Sequence, residues 1–133
     1  MRVMIDANVI YSALILPKSL VGERVRHIKE NHTLVLCEYI IKEVVDSFIE
    51  DRPDDLLEFL PLLEVLADEM FVLKKDKGTK YPNIRDVDDI PVLINAIEAD
   101  VDILVTGDKD FDDVKIEKPR ILKPGQYEKE FMI

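Results

Sequence analysis

The chain has 133 residues, 47% of them apolar, which suits one globular domain (1–133) and excludes disorder. Twenty-eight acidic against 18 basic residues leave a formal charge of −10, which excludes bulk attraction to nucleic acid or anionic membrane but not an acidic site that meets phosphate through divalent cations. A single cysteine, Cys37, excludes a disulfide framework and a cysteine zinc site, and no apolar run nears the roughly 18 residues of a membrane span.

Met1 leads into Arg2-Val-Met-Ile5 with no signal-peptide pattern, so a cytoplasmic domain opening on a buried strand is expected. The run stops at Asp6, and Asn8 is expected to cap a short helix that Pro17 ends. Leu20, Val21, Val25 and Ile28 keep near-helical spacing, and Leu34–Cys37 reads as a second strand. Ile40, Ile41, Val44, Val45, Phe48 and Ile49 mark a helix face that stops before Pro53. Asp54-Asp55 opens another helix, Phe71–Leu73 reads as the third strand, and Lys74–Asn83 as a polar loop. Asp86-Val-Asp-Asp89 starts a helix in which Pro91 is tolerated, since first-turn N–H groups lack intrahelical partners. Ile103–Thr106 is the fourth strand and Arg120–Leu122 a weak fifth; the tail from Pro124 (124–133) is expected to be a flexible arm or a frayed end. Strands alternating with helices predict an α/β fold with a parallel sheet covered on both faces.

Three acidic groups share a placement. Asp6 follows the first strand, Asp86, Asp88 and Asp89 open the helix before the fourth, and Asp108 follows that strand. The carboxyl edge of such a sheet forms a ligand crevice where strand order reverses. Acids gathered there raise one another's pKa unless a cation lies between them, and all-oxygen ligands favour Mg²⁺ or Mn²⁺. Singly, each has a plainer reading: Asp6 as a turn or cap, Asp86–Asp89 as helix-dipole compensation, Asp108 and Asp110 as a solvated turn beside Gly107.

Met4-Ile-Asp-Ala-Asn-Val-Ile-Tyr-Ser-Ala-Leu14 resembles the opening block of PIN domains. Arg85-Asp-Val-Asp-Asp-Ile-Pro-Val-Leu-Ile-Asn-Ala96 is similar to the central block of one PIN branch, and Asp102-Ile-Leu-Val-Thr-Gly-Asp-Lys-Asp-Phe111 to its closing block. The resemblance implies a three-layer α/β/α sandwich with strand order 3-2-1-4-5. It implies a metal-dependent endoribonuclease, the VapC-like toxin of a type II toxin–antitoxin pair, leaving 3′-hydroxyl and 5′-phosphate ends. Carried over by position, the four acids are Asp6, Glu43 (with Glu38 as rival), Asp89 and Asp108. Asp6, Asp89 and Asp108 would hold one Mg²⁺ or Mn²⁺; Glu43 would hold a second ion or orient the attacking water. Thr106 matches the family's hydroxyl residue, Asn8 the polar partner of Asp6, and Asp110 an auxiliary acid; Asp86 and Asp88 stay as caps. The implied partners are RNA, a small antitoxin and a second copy of the chain, the last supported by apolar Leu16 and Leu20 beyond what one core covers.

Lys18, Arg24, Arg26, Lys29, Lys74, Lys75, Lys77, Lys80 and Arg85 could flank the acids, with a solvated surface as the plainer reading. His27 and His32 have no partner at ligand spacing and read as surface residues. A Mg²⁺-binding receiver-like signalling domain expects paired acids after the first strand and a phosphoacceptor Asp after the third, where this chain has Asp-Ala-Asn and Lys74-Lys75. A PIN-like scaffold that binds without cutting is the other alternative.

Overall fold

The computed structural model describes residues 1–74 and 78–133, so Lys75 and Lys77 lie outside the described residues. Among these, five strands pair in parallel in the order β3-β2-β1-β4-β5: β1 (Arg2–Ile5), β2 (Thr33–Cys37), β3 (Glu69–Phe71), β4 (Ile103–Val105) and β5 (Arg120–Leu122). Val3, Met4 and Ile5 point alternately to the two faces, yet all are fully buried, as are Leu34 to Cys37. Both faces are therefore covered, which is why these strands read as unbroken apolar runs.

The covering helices are α1 (Ala7–Ile15), α2 (Leu20–Asn31), α3 (Glu38–Asp51), α4 (Leu56–Leu66), α5 (Ile90–Glu98) and α6 (Pro124–Phe131). Among the described residues, no helix is long and apolar enough to cross a membrane. The α1–α2 turn is tight: a Cβ on Gly22 would lie 2.3 Å from the carbonyl oxygen of Pro17, so only glycine fits this approach.

Three local expectations change. Helix α1 is capped by Asp6 rather than Asn8, because the Asp6 carboxylate accepts from the first helical N–H, that of Ala7, at 2.8 Å. Strand β3 begins at Glu69, two residues early: at the sheet's edge a charged side chain is tolerated, and the Arg2 guanidinium holds Glu69 through two hydrogen bonds of 3.0 and 2.6 Å. Arg2 also donates to the carbonyl of Ala99, fastening the amino edge of the sheet.

The third change is the tail, which is a docked helix. Tyr127 is fully buried, its hydroxyl lies 2.7 Å from His27 Nδ1, and Glu128 accepts from Arg24 at 3.0 Å. Phe131 stacks on Tyr127 and meets His32 edge-on, with ring centroids 5.0 and 5.6 Å apart. His27 and His32 are thus half-buried packing partners of α6 rather than surface residues.

Candidate metal centre

The strand order places β1 between β2 and β4, so the reversal of order falls at the carboxyl end of β1. The ladder runs one residue beyond β1: the Asp6 N–H donates to the carbonyl of Val105 at 2.9 Å, setting Asp6 beside Thr106. Thr106, only 1% exposed, donates its hydroxyl to Asp6 Oδ2 at 2.7 Å and accepts the Asp108 N–H at 3.1 Å. Asp108 Oδ1 in turn accepts the Asp110 N–H at 2.9 Å. One hydrogen-bonded chain therefore fixes Asp6, Thr106, Asp108 and Asp110.

The start of α5 supplies the opposite wall. A 3₁₀ turn over Val87–Asp89 is capped by Asp86, whose Oδ1 accepts the Asp88 N–H at 2.9 Å. Carboxylate oxygens of Asp86, Asp89 and Asp110 all lie within 4.8 Å of one another. Asp89 Oδ2 is buried and has no hydrogen-bond partner, since acids stand around it where a donor would be needed. Helix α3 brings in half-buried Glu43, while Glu38 stays exposed at the helix start.

The charges expose the crowding. Burial pushes the Asp6 carboxyl above its ordinary range; bonds from Thr106 and Ala7 pull it back, and the charge of Asp108 adds to the rise. Glu43 is pushed up to about 7, by burial first and then by Asp6 and Asp88. Asp89 is also pushed up to about 7, by burial first, then by the charge of Asp108, with Asp6 and Asp86 adding. Among the described residues no salt bridge reaches Asp6, Glu43, Asp89 or Asp108; Arg85 is spent on Asp110 (3.6 Å) and Asp113 (3.0 Å).

The four expected acids feel one another's charge, through Asp108 on Asp6, Asp6 on Glu43, and Asp108 and Asp6 on Asp89, whereas among the described residues the acids whose oxygens approach within 4.8 Å are Asp86, Asp89 and Asp110. Glu43 shares the field of Asp6. The side chain that hydrogen-bonds Asp6 is Thr106, while Asn8 stands exposed in the first turn of α1 with no side-chain hydrogen bond. Asp86 is both a cap and a member of the acid group. Its signal is the i, i+3 spacing to Asp89 across a 3₁₀ turn, where such side chains eclipse. At the far side, β3 runs into Val72, Leu73 and Lys74, so among the described residues no acid directly follows the third strand as a receiver requires.

The sequence matches the PIN domain family model over residues 2–110, a span that contains all four acids. The chain belongs to the PIN domain family. Its fold is similar to that of a chain of VapBC2 from Rickettsia felis, solved in a crystal structure bound to a DNA fragment from their promoter. The two superpose with a TM-score of 0.70 over 92% of this chain and 98% of that one, at 14% identity, so the likeness is one of fold. No curated protein sequence matches the chain.

Proposed function

We propose that the chain is a divalent-metal-dependent endoribonuclease of PIN type, acting in the cytoplasm as the toxin of a type II toxin–antitoxin pair. The observation that carries this reading is the gathering of Asp6, Glu43, Asp89 and Asp108 without a salt-bridged cation, around a buried Asp89 oxygen that has no donor. Like charges held so close destabilise the fold unless a cation neutralises them.

Asp6, Glu43, Asp89 and Asp108 offer carboxylate oxygen alone, and the neighbouring Asp86, Asp89 and Asp110 group likewise holds neither His nor Cys, which fits Mg²⁺ or Mn²⁺. Asp6, Asp89 and Asp108 would hold the ion. When bound it would acidify a water and neutralise the phosphoryl oxygens of the substrate. Glu43, pushed up to about 7, exchanges a proton near neutral pH and suits a group that orients an attacking water and takes its proton. Thr106 holds Asp6 in register, and no side-chain nucleophile is required.

Partner binding fits the same reading. Leu14, Ile15, Phe59, Leu62, Val65 and Leu66 line an apolar groove of about 540 Å³ between α1 and α4, with Val65 69% exposed. We assign this groove to a small antitoxin chain, in keeping with a fold neighbour that is a chain of VapBC2. Leu16 and Leu20, both more than half exposed, support a homodimer.

Calorimetric titration of the metal-free protein with Mn²⁺ tests the centre. Wild type should bind saturably and Asp89→Asn should lose most of that affinity; identical isotherms would overturn the assignment.

A further inference from the structure

On the β5 side of the acids a cavity of about 480 Å³ opens between the loop after β4 and the start of α6. Thr106 and Asp108 line its inner end, so it is continuous with the candidate metal centre. Val114, Ile116 and Ile121 form an apolar strip, and Asp112, Arg120, Lys123 and Gln126 supply polar groups, Arg120 already held by Glu130 through two hydrogen bonds of 2.7 and 2.8 Å. Apart from Thr106 and Asp108, every residue of this lining lies beyond residue 110, where the match to the family model stops.

The volume falls in the roughly 300–1,000 Å³ range of small-ligand sites, and the lining is mainly polar with one apolar strip, which suits a ligand that is itself largely polar with one flat apolar face. Gln126 is held in place by its Oε1, which accepts the Lys123 N–H at 2.8 Å. Among the described residues its amide –NH₂ makes no hydrogen bond, which leaves an exposed donor held in place by the Oε1 contact. The Lys123 ammonium faces the exposed Asp112 carboxylate at 3.2 Å, a surface pairing weak enough to yield to a phosphate. A nucleotide matches these groups: a flat ring for the apolar strip, acceptor atoms on the base edge for the Gln126 amide, and a phosphate for Lys123. A chain of charge −10 cannot gather RNA by bulk attraction, so shaped contacts beside the acids must hold it.

We propose that this cavity seats the nucleotide next to the scissile phosphate of a single-stranded RNA. Its base lies against Val114, Ile116 and Ile121, Gln126 donates to the base edge, and Lys123 meets a phosphate. This rests on the nuclease reading, since the acids mark where the scissile phosphate lies.

Two experiments on the whole chain test it. In the first, metal-free protein is titrated with the four nucleoside 5′-monophosphates, ribose 5-phosphate and inorganic phosphate, followed by backbone amide NMR. Nucleotides at millimolar concentration should shift Val114, Ile121 and Gln126, and the two base-free probes should not. In the second, cleavage of a short RNA is measured for Gln126→Ala and Lys123→Ala, both at exposed positions. Each should raise KM about tenfold, the effect of losing one good polar contact, with Mn²⁺ affinity unchanged.

Resonances that stay still, an equal response to inorganic phosphate, or an unchanged KM in both variants would overturn the cavity assignment and leave metal-dependent cleavage standing. Nucleotide shifts at the cavity in a wild type that cuts no RNA would support the nucleotide site and overturn the nuclease reading instead.

Discussion

The hydroxyl of Thr106 donates to Asp6 Oδ2 at 2.7 Å, and Thr106 Oγ1 in turn accepts the Asp108 N–H at 3.1 Å. An uncharged, buried residue at the end of β4 therefore sets the spacing of two acids that repel each other. Thr106→Val keeps the shape and removes both roles, leaving the buried Asp6 oxygen and the Asp108 N–H without a partner. It should cost about 1–3 kcal/mol, while Thr106→Ser should cost much less. Urea denaturation of the three proteins measures this; a Thr106→Val protein as stable as wild type would show that the hydroxyl holds nothing.

The acid group predicts an unusual pH dependence for the metal-free protein. Unfolded, these side chains ionise near 3.9 for Asp and about 4.3 for Glu, whereas in the fold Glu43 and Asp89 keep protons up to about 7. Between those values the folded state binds more protons than the unfolded chain, so stability from these groups is full below about pH 4 and is lost as the pH rises through about 7. In EDTA, the Tm of Asp89→Asn minus that of wild type should therefore grow from pH 5 to pH 8. A difference that stays flat or shrinks would contradict the raised values.

Adding the ion should reverse that loss. Mg²⁺ or Mn²⁺ binding only the folded state should raise the Tm of wild type with metal concentration, and more steeply at pH 8 than at pH 5, where protons compete for the acids. Scanning fluorimetry with Mn²⁺, and with K⁺ at matched ionic strength, separates binding from screening. Equal shifts with K⁺ would mean screening alone.

The terminal helix should behave as part of the fold. Tyr127→Ala removes a fully buried ring that contacts His27, His32 and Phe131, and should cost about 3–5 kcal/mol, the usual range for truncating a large aromatic in a core. Tyr127→Phe, losing the 2.7 Å contact to His27, should cost about 1 kcal/mol. A near-neutral Tyr127→Ala would mean that α6 is only loosely attached.

The sheet was readable because β1, β2 and β4 are buried on both faces and so appear as short unbroken apolar runs. Glu69 hid β3, since a charged residue is admissible only at an edge with a partner such as Arg2, and that pairing spans 67 residues. Helix α6 presents a single buried ring, Tyr127, too little for a periodicity to register. Placement at strand ends and a helix start marked Asp6, Asp108 and the Asp86–Asp89 run, and the PIN resemblance singled out Asp89 within that run. Two features needed coordinates: Asp86 joining Asp89 and Asp110 through the eclipsed spacing of a 3₁₀ turn, and Thr106 displacing Asn8 as the partner of Asp6. Both depend on backbone geometry that residue type does not encode.

Cleavage of a mixed single-stranded RNA panel by wild type, Asp6→Asn, Asp108→Asn and Asp86→Asn, with and without EDTA, decides where the ion sits and whether it acts. Wild type should cut, stop in EDTA and recover with Mg²⁺ or Mn²⁺. Asp6→Asn and Asp108→Asn should each lose about a hundredfold or more, and Asp86→Asn far less, since only the first two are assigned to the ion that acts on the phosphate. Cleavage that survives EDTA, or a severe loss in Asp86→Asn with Asp6→Asn unharmed, would contradict a metal-dependent nuclease centred on Asp6, Asp89 and Asp108.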